Sequence, residues 1–362
     1  MPALVRSVVL VLLPAALTAQ SERAPEAFQL AVGLQQRGLH DEAARHYETF
    51  LANEPKHRLA AEAHYRLGLC QVELQRRDQA IASLARAAEL GGKDFALLPE
   101  CRYRLGGLHA LGGDHAAAAA QFEALAQSVA KDHYLLAAAW FAAGEARREL
   151  GAEPAAVAAF TAAAAAAEGG ERAAYRFPAL YQLGFAQLRS QQLAAAAATF
   201  TSAAGAAADA AAKAECHYLV GDTLLRLQEW DAAAAAFARV DKLGGEFADD
   251  ACLGLGFVQV GRGDGKAAAQ AFGALLERFP DSPHAGLARL EMGRALVQTQ
   301  QAAPAEAALQ PLLAEGVDAS LQRQARELLG LSALASGAGE RAVVALQQAF
   351  ADAEPAERPR LA

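Results

Sequence analysis

A glycine, often preceded by leucine, returns every 35 to 40 residues along almost the whole chain, and this period constrains the fold more than anything else in the sequence. It stands at Gly68, Gly106, Gly144, Gly184, Gly221, Gly256, Gly293 and Gly330, with Ala31 in the same role at the front. Twelve residues after each comes an alanine: Ala43, Ala80, Ala118, Ala156, Ala196, Ala233, Ala268, Ala305 and Ala342. Four further on comes a bulky residue, among them Tyr47, Leu84, Phe122, Phe160, Phe200, Phe237, Phe272, Leu309 and Leu346. Such regularity describes a stacked array in which each unit buries its apolar face only against its neighbours. A solenoid grows by addition, so 362 residues need not divide into separate cores.

One unit shows the grammar. Over residues 61–92, Tyr65, Leu67, Leu69 and Val72 keep helical spacing, and Ala80, Ile81, Leu84 and Ala87 repeat it. Asp78 is placed to cap the second helix and Gly91-Gly92 to end it. The reading is a helix–turn–helix of about fifteen residues per helix. Gly113-Asp114, Trp230-Asp231 and Gly263-Asp264 recur at the same turn. Gly and Ala let paired helices approach closely while the bulky residue fills the space they leave. Alanine runs such as Ala162–Ala167 and Ala194–Ala198 fall in second helices; alanine favours helix but buries little area. Residues 155–215 are therefore expected to be among the less rigid parts.

The chain is 54% apolar and 20% charged, too apolar for disorder. Its formal net charge of −8 repels phosphate backbones, which argues against nucleic-acid binding. Residues 1–19 read as a secretory signal: Arg6 supplies the positive charge, Ser7 to Leu17 the apolar stretch, and Leu17-Thr18-Ala19 a peptidase site ahead of Gln20. The apolar run is short for a membrane span, so no stable span is expected once the signal is removed. No cysteine at that point suggests a lipid anchor. Residues 20–355 then form the solenoid, and 356–362 a tail whose prolines and charges suit solvent.

Tyr65-Arg66-Leu67-Gly68, Tyr47 with Pro55, and Phe272 with Phe279-Pro280 carry a pattern that resembles the tetratricopeptide repeat family. The likeness covers about residues 24–355 in nine units, starting near 24, 61, 99, 137, 177, 214, 249, 286 and 323. It implies an all-α, right-handed superhelical solenoid that binds a protein or peptide without catalysis. The units are longer than is usual in the family, and most lack the terminal proline. Phe279-Pro280-Asp281-Ser282-Pro283-His284-Ala285 is similar to junctions in bacterial envelope members, the Tol-Pal coordinator and outer-membrane assembly lipoproteins among them. With the signal, this implies a periplasmic or secreted protein of the cell envelope.

In such a stack the first helices line a concave groove, and the residue three before each glycine points into it. These residues are Phe28, Tyr65, Tyr103, Phe141, Tyr181 and Tyr218, followed by Leu253, Leu290 and Glu327. Six consecutive aromatics form a stripe for which packing and partner contact are both open readings; rigid rings give contact area at low entropy cost. Arg66, Arg104 and Gln182 sit one residue on, and Glu145, Asp222 and Arg294 one turn later. Relatives that hold a peptide's terminal carboxylate use Lys, Asn and Arg at such places. Here Arg66 and Arg104 are present and the asparagines are not. A polysaccharide or peptidoglycan stacking on the rings is the alternative ligand.

Chemistry finds little purchase. Seven of nine histidines precede residue 134, but without HExxH or paired His/Cys spacing, so neither metal nor cofactor is expected. Gly261-Arg262-Gly263-Asp264-Gly265 reads as a turn, and Asp249-Asp250 as dipole-complementing charge at a helix start. No phosphate-binding or nucleophile motif follows a strand pattern, which leaves an enzyme accessory or degenerate enzyme as a remote third reading. Cys70, Cys101, Cys216 and Cys252 form no CxxC; they read as packing residues, with a Cys216–Cys252 bridge as the open alternative.

Overall fold

The computed structural model describes residues 25–351, so the signal segment with its cleavage point and the tail 356–362 lie outside the described residues. Those described divide into two compact units, one ending at Leu111 and one starting at Gly112. In the first, α1 (Glu26–Gln36) precedes α2 (His40–Asn53), α3 (Ala60–Glu73) precedes α4 (Arg77–Gly91), and α5 (Leu98–Leu111) follows. The second starts with α6 (His115–Ser128), α7 (Leu136–Glu149) and α8 (Glu153–Ala166). Then come α9 (Arg176–Arg189), α10 (Leu193–Ala206), α11 (Ala210–Arg226) and α12 (Trp230–Leu243). It ends with α13 (Ala248–Gly261), α14 (Gly265–Arg278), α15 (Ala285–Gln298), α16 (Ala302–Leu309), α17 (Ala319–Ala335) and α18 (Gly339–Ala351). Among the described residues every regular element is helical, and within each unit consecutive helices pack on one another.

The periodic glycines mark where first and second helices touch. A Cβ on Gly144 would lie 2.6 Å from the Phe160 ring, and one on Gly221 2.5 Å from Phe237. Gly68 meets Leu84, Gly256 meets Phe272 and Gly330 meets Leu346 in the same way. The bulky residue sixteen places on therefore seats its ring or branch directly on the glycine backbone. Phe160, Phe200, Phe237 and Phe272 are fully buried there, beside alanines that are themselves buried.

Among the described residues, each of the nine turns that follow a first helix holds one residue in the left-handed region. Five are glycines, at Gly38, Gly113, Gly151, Gly263 and Gly337; four are glutamines, at Gln75, Gln191, Gln228 and Gln300. The hydrogen bonds explain the requirement. At Gln75 the backbone N–H donates to Val72 and the next N–H donates to Gln71, at 2.9 and 2.8 Å. This paired closure satisfies carbonyls the helix end leaves free, and it forms only when the residue between turns left-handed.

One expected detail changes. Asp78 is not a cap: α4 begins at Arg77 with Arg76 at the N-cap, so the carboxylate sits in the first turn and complements the dipole. Asp114 and Asp264, which follow a turn glycine directly, do cap, accepting from Ala117 and Ala267 N–H at 3.0 and 2.9 Å. The longest interval, from Gly144 to Gly184, accommodates a 3-10 stretch at Gly170–Tyr175. Helix α16 stops after 8 residues and passes into a 3-10 turn that contains Pro311.

Candidate partner-binding face

The six stripe aromatics lie on first helices, and five of them make ring contacts with their own helix, with the second helix of their hairpin or with the junction that follows. Phe28 is buried, edge-on to Tyr47 and Phe50 at 5.8 and 5.5 Å. Tyr65 is buried edge-on to Phe95. Tyr103 is half-buried on α5. In the second unit Phe141 meets Phe160 and Tyr175, and Tyr181 meets Phe177, Phe185 and Phe200. Tyr218 lies against Phe237 and stacks on Phe247 at 5.5 Å. These three are half-buried. The alanine-rich second helices explain the inward packing: short side chains on α8 and α10 leave room that Phe141, Leu180 and Tyr181 fill. Later in the stripe, Leu290 is buried, and Leu253 and Glu327 are half-buried.

The two arginines of the first unit are engaged. Arg66 donates to Glu62 at 2.7 Å, and the Arg104 guanidinium lies close to the Tyr65 hydroxyl. Burial pushes the Tyr65 hydroxyl up, with Arg104 opposing. Arg66 thus has its charge matched within its own helix, which weakens it as a seat for a peptide carboxylate.

In the second unit, polar first-helix residues tie one repeat to the next. Arg148 of α7 donates to Gln182 of α9 at 3.2 Å, and the Tyr181 hydroxyl donates to Glu215 of α11. Ser282 donates to Asp249 at 2.6 Å, and the His284 ring contacts Asp250 at 2.9 Å, so the Pro280–His284 junction is fastened to the start of α13. Arg294 of α15 donates to Gln324 of α17 at 3.3 Å. Sequence reading missed this ladder, since its partners lie 30 to 34 residues apart and no local pattern couples them. The unit-to-unit period was the available signal.

Burial acts on the carboxylates of this face. It raises Asp222, with Arg226 opposing, and raises Glu145, with Arg148 opposing. The Tyr181 hydroxyl is raised by burial and then by the bonded Glu215; Tyr218 is raised by burial, Asp250 and Asp222. Glu215, Tyr218 and Asp222 share one face of α11, at i, i+3 and i+7.

All four cysteines are free and buried, so Cys216 and Cys252 form no bridge. Burial raises Cys101 and Cys216 to about 12, which leaves them as unreactive thiols. Among the described residues no group of three His, Cys, Asp or Glu side chains could hold a metal ion, and no helix is long and apolar enough to cross a membrane. An open cleft of about 310 Å³ beside α10, α11 and α12 is walled mainly by Ala194, Ala197, Val220 and Leu224, with Thr201 and Glu229 as its polar lining.

Two family models, both described as tetratricopeptide repeat, match residues 28–96 and 250–282. No curated protein matches the sequence. Among solved structures, the chain is similar to a tetratricopeptide repeat protein from Parabacteroides merdae, with 16% identity over 74% of this chain and 98% of that one and a TM-score of 0.43. It is similar also to the C-terminal part of a TPR repeat-containing protein from Cytophaga hutchinsonii, with 14% identity over 72% and 98% and a TM-score of 0.49. A third likeness is to MamA from Desulfovibrio magneticus, with 19% identity over 51% and 95% and a TM-score of 0.39.

Proposed function

We propose, for a chain built of tetratricopeptide repeats, that it is an exported, non-catalytic scaffold of the bacterial envelope that holds a protein or peptide partner on its first-helix face. The observation that carries this reading is the face of α9, α11 and α13. There Tyr181, Phe185 and Tyr218 lie half-buried among polar side chains already fixed by contacts between repeats. A surface so held loses little entropy on binding, which is the advantage of a preorganised interface. Export rests on the sequence of residues 1–19 alone. The polysaccharide alternative gains less support, because stacking on a sugar needs a free flat ring, and one flat side of Tyr218 is taken up by Phe247.

A photo-crosslinking residue tests the face without deleting a packed ring's neighbours. Placed at Tyr218 it is expected to capture a protein partner, and placed at exposed Arg239 on α12 it is not. Equal capture at both places, or none at Tyr218, refutes the assignment. For export, protein recovered from the periplasm of a Gram-negative host is expected to begin at Gln20; retention of Met1 in cytosolic material contradicts it.

A further inference from the structure

Several acidic side chains of the described surface, most of them on second helices, are matched by arginine. Asp41 bonds Arg76 at 2.8 Å, Glu123 bonds Arg147 at 2.7 Å, and Glu153 bonds Arg189 at 2.6 Å. Asp231 pairs with Arg262, and Asp241 with Arg278. The first-helix carboxylates of α11 and the start of α13 do without arginine. Glu215 is held by the Tyr181 hydroxyl, Asp249 by the Ser282 hydroxyl, and Asp250 by the His284 ring. Among the described residues Asp222 has no hydrogen bond and no cation within ion-pair distance; Arg226, one turn on, acts on it only through its field. Hydroxyl donors orient a carboxylate without cancelling its charge, so negative potential accumulates where the rings of Tyr181, Phe185 and Tyr218 lie.

We propose that the face formed by Tyr181, Glu215, Tyr218, Asp222 and Asp250 binds a basic, lysine- or arginine-bearing segment of a partner protein. This rests on the first-helix face being the binding face, and adds the chemistry of what it takes. The complementarity has two parts. The carboxylates supply charge for an ammonium or guanidinium head, and the rings provide an apolar bed for its methylene stem. A terminal carboxylate, the ligand that Arg66 and Arg104 would suit, is repelled here. Asp222 gives the argument a second support. Folding half-buries its carboxyl at a cost that the field of Arg226 offsets only in part, so the protein retains a charge that harms its own stability. Such a residue is retained where binding uses it, the usual trade between stability and function.

The full chain, free of any affinity tag, is applied to an array of short random peptides, and selected peptides are then titrated by fluorescence anisotropy. Bound peptides are expected to be enriched in Lys and Arg. Their Kd in the double variant Asp222→Asn, Asp250→Asn is expected to weaken roughly tenfold or more, and to weaken with added salt in the wild type. Asp41→Asn, on α2 and outside the face, is expected to leave binding unchanged. Asp222→Asn alone is expected to melt at a slightly higher temperature than wild type while binding less, a combination that a purely structural carboxylate does not produce. If peptides bind and Tyr218→Ala abolishes binding, but the bound set has no basic excess or the double variant binds equally, the basic-partner inference falls and the face stands. If no peptide binds, both fall.

Discussion

At the scale of single residues, the four left-handed glutamines are the most instructive feature of the hairpins. A side chain with a Cβ in that region costs ~1–2 kcal/mol, and glycine relieves it while adding ~0.4–1 kcal/mol of unfolded-state entropy. Gln75→Gly, Gln191→Gly, Gln228→Gly and Gln300→Gly are therefore each expected to stabilise the fold by about 0.5–1 kcal/mol, read from the midpoint of urea unfolding. Loss of stability in all four would mean that glutamine contacts, not backbone geometry, set those turns. Histidine provides the pH counterpart. His64 and His217 each precede a stripe tyrosine, and each has a buried Nδ1 without a partner. Burial lowers both from the ordinary 6.5, helped by Arg86 and Arg239 respectively. A depressed histidine is neutral when folded, so the unfolded chain binds more protons, and stability present above 6.5 is lost as pH falls through that value. The melting temperature is expected to drop between about pH 7 and 5, and His64→Gln with His217→Gln to flatten that drop. The raised Glu145 and Asp222 act the other way at lower pH, where protonation favours the folded form.

At the scale of elements, what separates one hairpin from another is the content of its second helix. Helix α14 buries Phe272 and Leu275 in a broad cluster that also takes in Leu296 and, partly, Leu276 and Met292. Helices α8 and α10 contribute mainly alanine around one phenylalanine each, and the clusters of Ala163 with Ala179 and of Ala203 with Cys216 are small. Each alanine removes far less apolar area from water than leucine does. Native-state hydrogen exchange is expected to show lower protection in α8 and α10 than in α14, as residues 155–215 already suggest on composition. Equal protection would mean that the aromatics filling the alanine gaps make up the difference. The stripe residues belong at this scale too. Phe28 is buried inside its hairpin and Tyr65 between its hairpin and α5, both behind the surface, while Tyr181 and Tyr218 keep part of their rings at it.

At the scale of the molecule, the division after Leu111 gives a direct test of additive stability. The clusters from α7 to α17 are internal to the second unit, and nearest-neighbour packing needs no distant partner. A fragment of residues 112–351 is expected to show native-like helical circular dichroism and a cooperative thermal transition. A fragment without a transition would show that the first unit is required to fold the rest.

The helical class, the hairpin period, the pairing of each glycine with a bulky residue and the turn positions could be read from the sequence, because all are local or strictly periodic. Gly144 and Phe160 sit sixteen residues apart in one hairpin, and that spacing alone puts one against the other. The direction of the aromatic stripe could not be read. Phe141 and Tyr181 turn toward alanine gaps whose depth depends on how neighbouring helices settle. Nor could the ladder from Tyr181 to Glu215 and from Asp250 to His284, which joins residues a full repeat apart. Sequence determines this protein wherever contacts stay within a hairpin; only the tertiary structure decides which side chains meet between hairpins, since that depends on how one packed pair rests on the next.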